Sequence, residues 1–111
     1  SDCIFCKIVD GSIPSKKVYE DEKILAFYDL EPQAPFMACN SKGTHLRADA
    51  VNEENVGNIA HIFTKIPEIT KSLGLTNGYR IVNNCGEDGC QSVKHMHFHI
   101  LGGKKLNGTM A

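Results

Sequence analysis

A chain of 111 residues is long enough for one hydrophobic core and too short for two. Its formal net charge of −1, with both signs scattered, gives no basic face for nucleic acid. No apolar run is long enough to cross a bilayer, so no membrane partner is expected. Charged residues begin at Asp2 without an apolar export region, and five cysteines cannot all pair. A reducing, cytoplasmic location is therefore expected.

In chain order, residues 3–9 mix apolar and cysteine positions and predict one helical turn, which Gly11, Ser12 and Pro14 break. Val18, Tyr19 and Glu20 predict a short strand, Asp21 and Glu22 a turn, and residues 24–28 a second strand ended by Pro32 and Pro35. Residues 37–49 are the least readable part. Asn40, Ser41, Lys42 and Gly43 predict a loop. Asn52 is suited to cap a helix. Val56, Ile59, Ala60, Phe63, Ile66, Ile69 and Leu73 then recur at three- and four-residue spacing, which marks one apolar face. Pro67 predicts a kink or an early end, and Gly74 a stop. Residues 79–83 predict a strand, 84–91 a glycine-bearing turn, and 92–101 the next strand. The last two strands suggest an antiparallel hairpin, and the order of elements an α+β domain.

The last strand carries the chemistry. Side chains alternate across a strand, so His95, His97 and His99 share one face and Met96, Phe98 and Ile100 the other. The apolar face is expected to pack on the helix and leave the histidine face free. At about 3.3 Å per residue the outer histidines are about 13 Å apart. One zinc ion, with Zn–N bonds of about 2.0–2.1 Å, cannot take all three. A division of labour follows: one neutral imidazole attacks, and a neighbouring imidazolium donates to an oxyanion or leaving group. The loop before it, with Asn84, Gly86, Gly89, Gln91 and Ser92, offers amide, hydroxyl and backbone donors suited to a phosphate. Glu87 and Asp88 are expected to point away from such an anion. Cys3 and Cys6 form a C-x-x-C, which is a zinc half-site by type and spacing, or two small buried hydrophobes. Cys39, Cys85 and Cys90 have no assignable partner.

The run His95-Met96-His97-Phe98-His99-Ile100-Leu101 resembles the His-x-His-x-His-x-x signature, x being apolar, of the histidine triad family. Cys3-Ile4-Phe5-Cys6-Lys7-Ile8, Ile13-Pro14-Ser15, Tyr19-Glu20-Asp21, Leu25-Ala26-Phe27-Tyr28-Asp29, Pro32-Gln33-Ala34-Pro35, Gly78-Tyr79-Arg80 and Gly89-Cys90-Gln91-Ser92-Val93 are similar, in this order, to its Hint-like nucleoside-phosphoramidase branch. The resemblance covers nearly the whole chain and implies a single domain over residues 1–111. It implies a compact antiparallel sheet of about five strands with one long helix, and a homodimer. The implied activity is hydrolysis of purine nucleoside phosphoramidates, AMP joined to an amine, without an organic cofactor. On the motif, His97 attacks the α-phosphorus and carries the nucleotidyl group, and His99 bonds the phosphate and assists the leaving group. His95 orients His97, chiefly through its backbone carbonyl. Asn84, Gln91 and Ser92 match positions that contact phosphate or leaving group, and Asp29 matches the ribose-binding acid. Ile4, Phe5, Ile8, Phe27 and Leu30 match the base and ribose pocket. Some members complete a structural zinc site, which here maps to Cys3, Cys6, His45 and His95.

Three positions depart from the family pattern. Met37 stands where relatives carry a fourth histidine, and the polar stretch after it replaces an apolar central strand. Cys90 replaces a small residue beside the phosphate loop. The tail from Lys104 lacks a Trp-Pro ending. A nucleotide-binding or scaffold protein with weak turnover, and a metal-dependent hydrolase with histidine ligands, are the alternative readings; a redox role for Cys3 and Cys6 is a third.

Overall fold

The computed structural model describes residues 3–28, the backbone of 38–41, and residues 47–91 and 93–109. Helix α1 spans Ile4–Val9 and is followed by strands β1 (Lys17–Glu20), β2 (Ile24–Phe27) and β3 (Ala38–Ser41). A single 3-10 turn at Ala48–Ala50 leads to the long helix α2 (Gly57–Ser72), then β4 (Tyr79–Val82) and β5 (His97–Gly102). The five strands form one antiparallel sheet in the order β1-β2-β3-β5-β4. This is the α+β architecture expected from the sequence, with five strands and one long helix.

The sheet is covered on both faces. Ile24 and Ala26 of β2, with Met96, Phe98 and Ile100, pack against Ile62, Ile66 and Ile69 of α2. The alternate residues of β2, Leu25 and Phe27, join Ile8 of α1, with Ile4, Phe5, Val9 and Ile13 around them. Two covered faces explain why all four residues of β2 are apolar and buried. They also overturn the expected free histidine face. His95 is 0% exposed and His97 3%. Helix α1, expected as a single turn, supplies the cover, because its Phe5 ring lies edge-on to both.

Four expectations on element limits change. Residues 38–41, of which Asn40 and Ser41 are predicted to lie in a loop, form the central strand β3; they pair with β2 on one side and β5 on the other. Backbone ladders on two sides supply what apolar alternation does not. The buried line of α2 is Ile62, Ile66 and Ile69, flanked by Ile59 and Leu73, whereas Val56, Ala60 and Phe63 are exposed. Ile62 thus belongs to the core face, which is rotated from the one the spacing suggested. Helix α2 continues through Pro67 to Ser72. The proline ring is exposed, so the helix loses an N–H donor there without a clash in the core. Asn52 does accept from the N–H groups of Glu54 and Asn55, but over a turn that precedes α2 rather than at its first residue.

The β1–β2 turn is tied to α2 by one carboxylate. Asp21 Oδ2 accepts from Tyr19 Oη at 2.8 Å and pairs with His61 Nε2 at 2.6 Å. Its Oδ1 accepts from the backbone N–H groups of Lys23 and Ile24. Burial pushes this carboxyl up, but the bonds from His61, Lys23, Tyr19 and Ile24 outweigh it and hold it well below the usual range. The bond to Asp21 in turn pushes the Tyr19 phenol up to about 12. A depressed carboxyl stabilises the fold fully above its unfolded pKa of about 3.9 and loses that contribution as pH falls below it. Asp21→Asn is therefore expected to cost about 1–3 kcal/mol at pH 7. Its thermal midpoint should also fall less than that of the parent between pH 5 and pH 3. Parallel midpoint–pH curves for the two proteins would remove Asp21 from the account of acid stability.

Candidate functional site

The strand expected over 92–101 begins at His97. Upstream, the N–H of His95 bonds the carbonyl of Val93 at 2.8 Å, so the chain turns tightly there instead of pairing. The alternation still holds in direction. Met96 enters the α2 core, while His95 and His97 meet Phe5 on the other face. The irregular backbone has a chemical result. In a regular strand the carbonyl two residues back lies in the plane of the sheet, away from the side chains. Here the His95 carbonyl oxygen lies 2.7 Å from His97 Nδ1. A carbonyl only accepts, so Nδ1 carries the hydrogen. In the neutral ring the lone pair is then on Nε2.

Around that ring the packing is aromatic. Phe5 lies 4.7 Å from His97 between centroids, at 79°. The His99 ring lies 5.0 Å from it, at 82°, and is half-buried. The nearby Phe5–Phe27 pair is 5.8 Å apart. Ile8 and Phe27 are full members of the core on this face, and Ile4 and Phe5 lie at its margin. On the far side of β5, Asn83 donates from Nδ2 to the His97 carbonyl at 2.7 Å. Nothing in the pattern of the sequence marks Asn83, because it follows the last residue of β4 and precedes a loop already rich in asparagine and glycine.

The loop 84–91 closes on itself. Gln91 Oε1 accepts from the Gly86 N–H at 2.9 Å, and Nε2 donates to the Val93 carbonyl at 3.1 Å. Gln91 therefore braces the loop. Asn84 is half-buried at its start, and Glu87 and Asp88 are exposed at its tip. A Cβ on Gly89 would stand 2.6 Å from the Cys85 carbonyl oxygen, so no side chain fits there. Cys90 is exposed with φ +60°. That left-handed backbone explains the small residue expected at this position, since glycine adopts it without strain. Asp29, Leu30, Met37, His45 and Ser92 lie outside the described residues.

The second cluster shares His95. Its ring Nδ1 lies 3.4 Å from Cys3 Sγ and 3.4 Å from Cys6 Sγ, and the three ligand atoms all lie within 4.8 Å of one another. Bonds of about 2.3 Å to sulfur and 2.0–2.1 Å to nitrogen at a tetrahedral angle give an S···N edge of about 3.5–3.6 Å. Both S···N separations thus fit edges of a zinc tetrahedron. Cys3 also caps α1, with its sulfur accepting from the Cys6 N–H at 3.4 Å. One residue, His95, therefore faces the thiols with its ring and His97 with its carbonyl. A cavity of about 610 Å³ lies elsewhere, among Gly74, Tyr79, Arg80, Leu101 and Lys104, and none of the three histidines lines it. Among the described residues, no helix is long and apolar enough to cross a membrane.

A five-stranded antiparallel sheet whose last strand carries His97 and His99, with His95 just before it, beneath a short C-x-x-C helix defines a small α+β domain with a histidine centre. Residues 10–106 match the HIT domain, and the chain belongs to the HIT, or histidine triad, family. A histidine triad protein from Clostridium difficile is 46% identical, with a TM-score of 0.92 over 97% of this chain and 96% of that one. A protein from Clostridium thermocellum, named a HIT family hydrolase, is 33% identical, with a TM-score of 0.94 over 100% of this chain and 98% of that one. In sequence, a 14 kDa zinc-binding protein of Zea mays is 41% identical over an aligned length of 110 positions that covers 96% of this chain and 86% of that protein.

Proposed function

We propose that this protein hydrolyses purine nucleoside phosphoramidates or related AMP conjugates, releasing AMP and an amine through a nucleotidyl-histidine on His97. The observation that carries this reading is the 2.7 Å contact between His97 Nδ1 and the His95 carbonyl, which leaves Nε2 as the lone pair on a buried ring. In the first step Nε2 attacks the α-phosphorus and the bond from phosphorus to the amine nitrogen breaks. The departing amine takes up a proton, with His99 beside His97 assisting. Water then attacks the phosphorus, the bond to Nε2 breaks, and AMP leaves with His97 restored. The 84–91 loop and Ser92 hold the phosphate in this reading, Asp29 the ribose, and Ile4, Phe5, Ile8, Phe27 and Leu30 the base side. The hydrolase name of the Clostridium thermocellum relative supports the reaction class, and the resemblance to the phosphoramidase branch supports the substrate.

Cys3, Cys6 and His95, with His45 as the expected fourth ligand, would hold a zinc ion that supplies a cross-link between α1 and the start of β5. The zinc-binding maize relative supports this assignment. The reading also makes residues 1–111 one domain of a cytoplasmic homodimer. Val56, just before α2, and Phe63 on it offer exposed apolar surface for the contact. The decisive measurement is intact-protein mass spectrometry after rapid quenching with an AMP-amine conjugate. The expected result is a transient AMP adduct that peptide mapping assigns to His97. Release of amine with no adduct at any time point would reject the covalent route. Binding of AMP with no amine release would favour the nucleotide-binding alternative.

A further inference from the structure

Residue for residue, the antiparallel ladder between β4 and β5 pairs Tyr79 with Gly102, Arg80 with Leu101, Ile81 with Ile100, and Val82 with His99. In the same register the residue opposite His97 is Asn84. The strand stops at Val82, however, and the chain leaves for the 84–91 loop. At this point Asn83 Nδ2 donates to the His97 carbonyl at 2.7 Å. His97 is then fixed on three sides. Its backbone pairs with Asn40 of β3, its carbonyl accepts from Asn83, and its ring Nδ1 donates to the His95 carbonyl. The last bond depends on the relative placement of residues 95 and 97, because the chain between Val93 and Met96 is irregular and no ladder fixes it.

We propose that Asn83 is a positioning residue for His97. Its side-chain amide continues the β4 ladder by one bond after the backbone has turned away, and so sets the place and aim of the nucleophile's ring. This inference rests on the reading of His97 as nucleophile given above. Asn83 bonds the His97 carbonyl rather than its ring, and so acts through the backbone of His97. The lever is geometric, since a misplacement of about 1 Å at a reacting group costs about 100-fold in rate.

The test uses the full-length protein with Asn83→Leu and Asn83→Asp, which keep the side-chain size and remove the donor, and Asn83→Gln, which keeps a donor. Turnover of an AMP-amine conjugate, thermal midpoint and hydrogen exchange of the His97 Nδ1–H by imidazole NMR are measured on each. The first two variants are expected to lower kcat about tenfold or more, with KM within about twofold, midpoints near the parent's and faster Nδ1–H exchange. Asn83→Gln is expected to recover part of kcat. A kcat within twofold of the parent, or unchanged Nδ1–H exchange, overturns the proposal. So does a parallel fall of kcat and midpoint in all three variants, which marks a merely structural role. If the parent protein itself turns nothing over, the proposed function fails. The NMR arm then decides alone: faster exchange in Asn83→Leu supports positioning of the ring, and unchanged exchange overturns it.

Discussion

Replacing His97 with alanine is expected to lower turnover of an AMP-amine conjugate by at least about 1000-fold and to abolish the nucleotide adduct. The size follows from what is lost. Among the described residues, His97 alone sets a buried imidazole against the His95 carbonyl, so no neighbour inherits its lone pair. His99→Gln tests a different part of the reaction. A group that assists the leaving amine contributes about 100- to 10,000-fold, and its loss should slow formation of the adduct without preventing it. The two variants therefore differ in kind: one forms no adduct, the other forms it slowly. Thermal midpoints separate chemistry from folding, since His97→Ala opens a small void beside Phe5 and leaves the His95 carbonyl without its donor. A His97→Ala protein that retains both its midpoint and robust turnover would end the proposed mechanism.

The sequence made part of this arrangement legible, for reasons that differ by residue. Alternation alone separated His95, His97 and His99 from Met96, Phe98 and Ile100, and that division survives even where the strand does not. Period-two signals depend on which side of the backbone a residue takes, and Met96 keeps its side through the turn at Val93. The cover over the histidines was not legible, because Phe5 reaches His97 across more than ninety positions of chain in a helix of only 6 residues. Such contacts leave no local period. Strand β3 was hidden for a related reason: Ala38, Cys39, Asn40 and Ser41 show no apolar alternation, and its place between β2 and β5 is decided by its neighbours' open ladders. On α2 the period was right and the phase was not. Apolar residues occur on both flanks, and only packing shows that Ile62 faces the sheet while Phe63 remains exposed at its edge, against Phe98. Asn83 carries no signal at all, since a side chain that imitates the backbone needs only to be in place.

Removing the two proposed zinc ligands of α1 should have the largest effect on the fold, and its logic runs through that helix. Cys3 and Cys6 stand at the start of that helix, Phe5 lies between them in sequence, and its ring closes over both His95 and His97. A helix of 6 residues is too short to be stable by itself, so its position rests on packing and on what ties its first turn. The protein as purified is expected to carry about one zinc per chain, and Cys3→Ser with Cys6→Ser to carry none. If the lost cross-link is worth about 2 kcal/mol, the midpoint falls by about 9 °C in a domain of this size. Turnover should fall with it, because the aromatic cover and the His95 carbonyl both move with the site. The comparison that matters is between midpoint and activity across a series of buffered zinc concentrations. A structural ion restores both together. Activity that returns at zinc levels where the midpoint has not moved would place the metal in the chemistry. Metal-free protein with an unchanged midpoint would reduce Cys3 and Cys6 to packing residues of the histidine face.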